Sequence, residues 1–202
     1  DKIAALKTLY IESTTMVMGS NSLSKTYFIR GSAYRSETDF NGQNIIQVVT
    51  DKGGWVINPY GGSTTAAALS TEEFNGAADQ VFTPDPLVNY AANGAKLVLE
   101  GQENIEGVNA YKLKYTNKYN VDFTYYIDPA TWYIIRIVKQ GMMMNQPVTT
   151  NITYSNYKMT DAGIMMAYGT VIDMGQFVLE ITANKIEANK DIDPKLFDMP
   201  AK

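Results

Sequence analysis

The feature that most constrains this chain is a pair of β-strand patterns around a short turn, between residues 121 and 139. The runs VDFTYYI and WYIIRIV are dense in β-branched and aromatic residues, which suit a pleated, half-buried surface. Between them, Asp128-Pro-Ala-Thr131 is a turn sequence, because Asp hydrogen-bonds its own backbone and Pro presets φ. The pattern predicts a hairpin deep in an antiparallel sheet, with no obvious catalytic group.

Similar strand patterns, joined by short turns, occupy most of the sequence. Consecutive strands with short connections form a meander, whose strands must be antiparallel. We count about ten or eleven strands, too many for a flat open sheet, so the sheet is expected to curve strongly. The predicted strands cover residues 10–18, 25–40 with a bend at Gly31, 45–50, 54–58, 96–100, 110–115, 121–127, 132–138, 147–157, 164–174 and 176–186.

Residues 63–94 break this pattern and carry two helix-start signals. Ser70-Thr-Glu-Glu73 is a capping box, in which Ser70 caps the amide of Glu73 and Glu73 reaches back. Asp85-Pro86 supplies an N-cap and a first-turn proline, with Gly94 as the terminator. Both helices would be short and would depend on packing against the sheet. We therefore predict a helical lid over the sheet.

Both ends of the sequence carry further patterns. Residues 1–9 have Ile3, Leu6 and Leu9 at helical spacing, which predicts the last turns of a helix. We expect the start of that helix, and a signal peptide, to precede this sequence. Residues 189–200 are predicted to pack against the sheet edge, with Leu196 and Phe197 as apolar anchors. A chain of 202 residues fits one domain, here of the mainly β (α+β) class.

The composition argues against several classes of function. The chain has no His and no Cys, which removes the usual general base, thiolate nucleophiles and the commonest metal ligands. A net charge of -4 argues against a nucleic-acid binder. No run approaches the roughly 18 apolar residues that span a bilayer. We expect that the protein is not an enzyme and that it has no catalytic residues, no cofactor, no metal site and no transmembrane segment.

The acidic pairs do not change this expectation. Glu72 and Glu73 belong to a helix start, where acids favour the helix dipole. Asp191 and Asp193 flank the tail and are far short of a calcium loop. Catalytic carboxylate pairs need burial to separate their pKa values, so solvated structural roles are favoured.

Alternation in the later strands predicts one dry and one wet sheet face. Phe123 and Tyr125 share an apolar face, whereas Asp122 and Thr124 lie opposite. Two short helices are too small to cover the dry face, which leaves a groove. The 14 Tyr and 10 Met favour a sheet core with methionine filler, and an adaptable apolar cavity is the alternative. Met142-Met-Met144 is either a flexible lip of the groove or a packed loop.

The candidate groove residues are apolar side chains of the predicted strands and lid. They are Met16, Met18, Phe28, Trp55, Ile57, Leu87, Phe123, Tyr125, Ile135, Ile152 and Tyr154.

Several motifs resemble the bacterial periplasmic lipoprotein-carrier family (LolA/LolB-like). Phe28-Ile-Arg30 followed by TDKGGWVINP at residues 50–59 matches its apolar-x-Arg strand and its Asp-Gly turn with Trp and Asn-Pro beyond. LEGQENIEGVNAYKLKY at residues 99–115, the turn at residues 127–132 and LFDMP at residues 196–200 fit as well. Each motif is loose, and together they span nearly the whole chain in the family's order.

The resemblance implies a strongly curved antiparallel half-barrel of about ten strands, covered by short helices over a cavity for acyl chains. It also implies a cleaved signal peptide and a location in the periplasm or at the outer membrane. A strand arginine of the family hydrogen-bonds the lid backbone, and Arg30 falls at the matching place. Gly31 replaces the proline that follows in the family, so a surface salt bridge is the alternative for Arg30.

Two hypotheses for function follow. The first is an envelope binding protein, expected to be a monomer, that holds a lipid, an acyl chain or a lipidated protein in the groove. The second is a structural or protein-interaction module of the envelope with a filled core, which recruits an envelope protein partner. Function does not follow from fold, so both stay open.

Overall fold

We describe the fold from a computed structural model, which covers residues 2–3, 5–143 and 146–200, without the side chains of Met142, Met143 and Gln146. The predicted lip at residues 142–144 lies outside the described side chains. The strands are β1 (Thr8–Val17), β2 (Ser20–Ile29), β3 (Ala33–Phe40), β4 (Gln43–Thr50), β5 (Gly53–Asn58), β6 (Ser63–Ala68), β7 (Lys96–Ile105), β8 (Val108–Thr116), β9 (Asp122–Ile127), β10 (Ile134–Met143), β11 (Gln146–Met159), β12 (Met165–Asp173) and β13 (Val178–Ala188). The helices are α1 (Thr71–Ala77) and the 3₁₀ helices Pro59–Gly61, Ala78–Phe82 and Pro194–Phe197.

The strands form one sheet in the order β6-β5-β4-β3-β2-β1-β13-β12-β11-β10-β9-β8-β7. The hairpin pairs from β1 to β6 and from β7 to β11 are antiparallel. The order has two ends, β6 and β7, so the sheet formed by the described residues is not closed. The predicted mainly β, antiparallel class is confirmed, with thirteen strands instead of about ten.

Two of the additional strands come from places where the sequence pattern is weak. The predicted bent strand at residues 25–40 is two strands, because the chain turns at Gly31, whose φ is +71°. Residues 63–68 form β6, an edge strand inside the region predicted to lack strands. Its sequence, STTAAA, does not alternate between apolar and polar residues, so the period of two is not visible there.

The first predicted lid helix is confirmed, and the second is wrong. α1 begins at a capping box in which Ser70 Oγ accepts from Glu73 N at 3.3 Å and the Glu73 carboxylate accepts from Ser70 N at 2.8 Å. These hydrogen bonds lower the pKa of Glu73. At Asp85, the carboxylate accepts from Leu87 N at 2.9 Å, and the chain continues as turns to Gly94. The same Asp-to-amide bond serves an Asx turn and a helix cap, so the local signal was ambiguous.

The predicted N-terminal helix is also wrong for the residues described. Lys2, Ile3 and Ala5 lie in turns, and β1 begins at Thr8. The segment bonds to a distant part of the chain: Lys7 N donates to Asn189 Oδ1 at 2.9 Å. Long-range pairing of the backbone therefore overrides the helical spacing of the apolar residues.

The chain folds into two compact units. The first contains residues 1–88, 158–166 and 182–202, and the second contains residues 89–157 and 167–181. β11, β12 and β13 contribute to both, because the boundaries fall within these strands.

In the first unit, the two faces of the sheet bury different clusters. Val48 packs with Phe197, and Val49 packs with Val81. Because successive residues of a strand point to opposite faces, these clusters lie on opposite sides of β4. We call the side of Val48 the tail face and the side of Val49 the cap face. The segment that packs on the cap face, residues 71–83, is the cap segment.

The tail segment, residues 189–200, is held on the tail face by two side chains of the sheet. Trp55 Nε1 donates to Phe197 O at 3.0 Å, and Arg35 Nη1 donates to Leu196 O at 2.7 Å. The Arg35 guanidinium also lies over the Trp55 ring, 5.5 Å from its centroid. The predicted apolar anchors are confirmed. The segment contacts a sheet face and not the predicted edge.

In the second unit, one side of the sheet buries Tyr115 completely. Its ring lies 5.5 Å from that of Tyr125 and 6.0 Å from that of Phe123, measured between centroids. The opposite side also buries Tyr126, in a cluster with Ile105 and Ala110. Ion pairs on that side join Lys112 to Glu103, Lys114 to Asp122 and Arg136 to Glu106. The face predicted to be exposed to solvent is therefore exposed only in part.

Candidate ligand-binding site

An apolar row crosses the cap face of the first unit. Leu9, Phe28, Tyr34 and Val49 are paired in register from β1 to β4. Leu9, Phe28 and Val49 are 1%, 5% and 0% exposed, and the rings of Phe28 and Tyr34 lie 5.1 Å apart. Burial also raises the pKa of the Tyr34 hydroxyl. The row exists because each of four strands places an apolar residue at the same level of the sheet.

The cap segment packs on this row through α1 and the 3₁₀ helix that follows it. Ala77 and Val81 form a buried cluster with Val49, and Phe74 and Phe82 pack at its margin. An α-helix of seven residues has little stability of its own, so α1 depends on its cap and on this packing.

Arg30 and Gly31 attach the cap segment to the sheet by hydrogen bonds. Arg30 Nη1 donates to Phe82 O at 3.2 Å and to Thr83 O at 3.3 Å. The amide of Gly31 donates to Val81 O at 2.7 Å. A proline at residue 31 would have no N–H for this bond. Gly31 therefore adds a contact to the cap segment that the family's proline could not make.

Arg30 and Asp85 affect each other's ionisation. Burial raises the pKa of the Asp85 carboxyl, although the Leu87 amide and the Arg30 charge oppose this shift. Burial lowers the pKa of Arg30, and the Asp85 charge opposes that. Arginine stays protonated in proteins, so Arg30 donates as a cation at neutral pH.

The structure divides the predicted groove residues of the first unit between faces. Phe28 lies on the cap face, in the apolar row. Trp55 pairs with Val48, and both Trp55 and Ile57 pack with the tail cluster. The sequence grouped these residues as one lining, whereas Trp55 and Ile57 lie on the tail face. Alternation shows which residues of one strand share a face, but matching faces between strands requires the register.

The remaining predicted residues of this unit lie away from the apolar row. Met16 is 38% exposed and lies on the tail-face side of β1, paired with Asn21. Met18 is 82% exposed in the turn after β1, with φ at +50°. Leu87 is half-buried in the turns after the cap segment, where its amide binds Asp85.

Four of the five predicted residues in the second unit share one face. Ile137 of β10 pairs with both Tyr125 and Ile152, which places these side chains in one row. Phe123 and Tyr154 lie two residues away along their strands and so point to the same side.

Ile135 is the exception in the second unit. The register shifts between Ile134 and Arg136, as in a β-bulge. Ile135 packs against the cluster of Ile105, Ala110 and Tyr126. The bulge therefore places Ile135 on the opposite face from Tyr125, where uninterrupted alternation predicts a shared face.

Sequence reasoning missed much of what forms the cap-face site. Leu9, Tyr34 and Val49 were not grouped with Phe28, because the four residues lie on different strands and only the register aligns them. Phe74 and Phe82 of the cap segment were also missed, and their helical spacing beside the capping box was an available signal.

Within residues 2–3, 5–143 and 146–200, acidic side chains do not gather in a group of three that could hold a metal ion. None of the helices described is long and apolar enough to cross a bilayer.

Comparison with solved structures shows which fold this is. The chain is similar to a DUF1329 family protein from Desulfovibrio piger, with 16% identity, a TM-score of 0.65, and coverage of 98% of this chain and 92% of that one. It is similar to a putative outer membrane lipoprotein-sorting protein domain from Vibrio parahaemolyticus, with 12% identity, a TM-score of 0.64 and coverage of 95% and 89%. It is also similar to a LolA superfamily protein from Nitrosomonas europaea, with 11% identity, a TM-score of 0.63 and coverage of 95% and 89%.

The chain therefore has a LolA-like fold, as the sequence motifs predict. At these identities the likeness concerns the fold alone. No family model matches the sequence, and no curated protein matches it.

Proposed function

We propose that this chain is a non-enzymatic protein of the bacterial envelope that holds a lipid, an acyl chain or a lipidated protein. The ligand lies against the cap face, beneath the cap segment. The observation that carries the proposal is the attachment of that segment. Arg30 and Gly31 fasten it by three hydrogen bonds over an apolar row, so it can detach without breaking the sheet.

The energetics favour an acyl ligand over a small polar one. Each of the three bonds contributes about 0.5–1.5 kcal/mol net, with charged donors at the upper end or above. Each methylene that enters the site contributes about 0.8 kcal/mol. About six buried methylenes would therefore offset the loss of all three bonds. No catalytic group is needed for such binding.

The fold and the motifs support this class of ligand and the envelope location. The LolA-like fold occurs in a protein described as a putative outer membrane lipoprotein-sorting protein domain. The apolar-x-Arg strand at Phe28–Arg30 resembles the corresponding strand of the periplasmic carriers. In this proposal Arg30 holds the cap segment closed, as the family resemblance implies for this position.

The second unit supplies a further apolar surface for the same class of ligand. Tyr125, Phe123, Ile152 and Tyr154 share the side of its buried Tyr115. Substitution of Tyr125 by Asp is expected to reduce binding of an apolar fluorescent probe, because it places a carboxylate on this surface.

The test begins with organic extraction of the purified protein and mass spectrometry of the extract. The delipidated protein is then titrated with a fluorescent fatty acid. Phe82→Ala removes a ring that packs on the cap face, and Leu196→Ala is a matched control on the tail face. We expect Phe82→Ala to weaken binding by about tenfold and Leu196→Ala to leave it within about twofold. The proposal is wrong if the delipidated protein binds no probe, or if both variants weaken binding equally.

One observation favours a protein-interaction module as the second candidate. The β1–β2 hairpin exposes Met16, Met18 and Leu23 at 38%, 82% and 69%. Exposed apolar side chains that lie together commonly mark protein contacts. Under this alternative, Leu23→Ser abolishes capture of an envelope protein partner, while the fatty-acid titration shows no binding.

A further inference from the structure

Beyond the apolar row, the cap face becomes polar without becoming charged. The register aligns Ser13, Ser24 and Thr38 across β1, β2 and β3, and pairs Thr15 with Ser22 beside them. We call these five residues the hydroxyl patch. Ser24 lies four residues from Phe28 on the same face of β2, about 13 Å along the strand. The patch and the apolar row are therefore two ends of one surface.

Four of the five residues of the hydroxyl patch are buried, Thr38 is half-buried, and the hydroxyls of the patch are only partly paired. Thr15 Oγ1 and Ser24 Oγ lie 2.9 Å apart, as do Ser24 Oγ and Thr38 Oγ1, so hydrogen bonds link three strands. Ser13 and Ser22 are 5% and 6% exposed, and their hydroxyls have no hydrogen-bond partner in the part of the chain that the structure describes. Buried hydroxyls are normally paired. Two hydroxyls on this face are therefore available to a ligand.

The charges of these strands lie on the other side of the sheet. The charged side chains of β1 to β4 are Glu12, Lys25, Arg35, Glu37 and Asp39, and the register places all five on the tail face. An anionic group at the hydroxyl patch would have no cation from these strands to pair with. Burying an unpaired charge is much more costly than burying a hydroxyl or a carbonyl that is hydrogen-bonded.

We propose that the hydroxyl patch binds the uncharged polar group of an amphiphile, such as the glycerol and ester group of a monoacylglycerol, whose acyl chain lies on the apolar row. This rests on the proposed function, since the chain must first bind acyl groups. The unpaired hydroxyls of Ser13 and Ser22 bond the head group, and so does the hydroxyl of Thr15, which keeps hydrogen-bonding capacity beyond its bond to Ser24. The site thereby selects neutral amphiphiles over fatty-acid anions.

The test compares 1-monooleoylglycerol with oleate at pH 8, each below its aggregation concentration, by displacement of a fluorescent fatty acid. Thr15→Val removes one hydroxyl of the patch and keeps the shape of the side chain. The control is Thr14→Val, because Thr14 is the neighbouring residue on the opposite face. We expect Thr15→Val to weaken monooleoylglycerol binding by about tenfold, as the loss of one or two hydrogen bonds would, and to leave oleate unchanged. Thr14→Val should change neither.

Three outcomes would overturn the inference. Wild-type protein could bind oleate as tightly as monooleoylglycerol, or Thr15→Val could weaken both ligands equally, or it could weaken neither. In each of these cases acyl binding persists and the proposed function survives. Failure of both ligands and the fluorescent fatty acid to bind would instead overturn the proposed function, and this inference with it. Unchanged oleate binding by Thr15→Val also shows that the variant is folded.

Discussion

The amide of Gly31 and the carbonyl of Val81 are joined by a hydrogen bond of 2.7 Å, which ties the turn after β2 to the cap segment. Gly31 adopts a φ of +71°, in the left-handed region that favours glycine. The residue therefore meets two requirements, a backbone conformation and an N–H donor, at the point where the cap segment meets the sheet. Arg30 beside it supplies the other two bonds.

Gly31→Ala should destabilise the protein by about 1 kcal/mol, because a side chain is strained in the left-handed region. A methyl group itself fits, since its nearest neighbour would be Phe82 Cε1 at 3.9 Å. Urea unfolding monitored by tryptophan fluorescence measures the change. The control is Gly141→Ala, where φ is not positive and nothing lies within 4 Å. Equal effects of the two substitutions would contradict this account.

Arg30→Met should increase opening of the cap segment, because it keeps the length of the side chain but removes both bonds to Phe82 and Thr83. The chain has no Cys, so a single thiol can report opening. In a Val81→Cys background, where residue 81 is 3% exposed, thiol-exchange labelling should accelerate by about tenfold. An Ala33→Cys background reports the tail face and should label at an unchanged rate. Unchanged labelling at residue 81 would show that Arg30 does not hold the segment.

The sequence predicts some of these contacts and not others. The capping box at Ser70 and Glu73 was predictable because every partner lies within four residues. The strands were predictable for a similar reason, since alternation is local. Which strands share a face was not predictable, because the positions of Phe28 and Trp55 on opposite faces depend on pairing between β2, β3, β4 and β5.

Local signals also fail where one pattern serves two structures. Asp85 binds the Leu87 amide in a turn, as it would at a helix start, so the motif at residues 85–86 could not distinguish them. Ile135 changes face through one register shift, which leaves no mark in the sequence alternation. The hydroxyl patch was missed because serine and threonine in a strand are compatible with solvent, and only the structure shows that Ser13 and Ser22 are buried.

Trp55→Phe should reduce stability without affecting ligand binding. The substitution keeps an aromatic ring on the tail face but removes the donor to Phe197 O. The expected loss is about 1 kcal/mol in the free energy of unfolding, from urea unfolding followed by circular dichroism. Titration with the fluorescent fatty acid should give the wild-type affinity. Weaker binding with unchanged stability would restore Trp55 to the ligand-binding site, as the sequence predicted.

Asp85→Asn should stabilise the protein at neutral pH and not at acidic pH. Burial raises the pKa of the Asp85 carboxyl above its ordinary value of 3.8, so the folded state favours the protonated form. The stability that this group contributes is therefore complete below pH 3.8 and is lost as the pH rises through the raised pKa. Asparagine keeps an oxygen that can accept from Leu87 N but carries no charge to bury. The free energy of unfolding is measured for both proteins across this pH range. The difference between the two isolates the effect of Asp85, because both proteins contain the same other carboxyl groups. A variant that is less stable than wild type at neutral pH would show that the attraction between Asp85 and Arg30 outweighs the cost of burial.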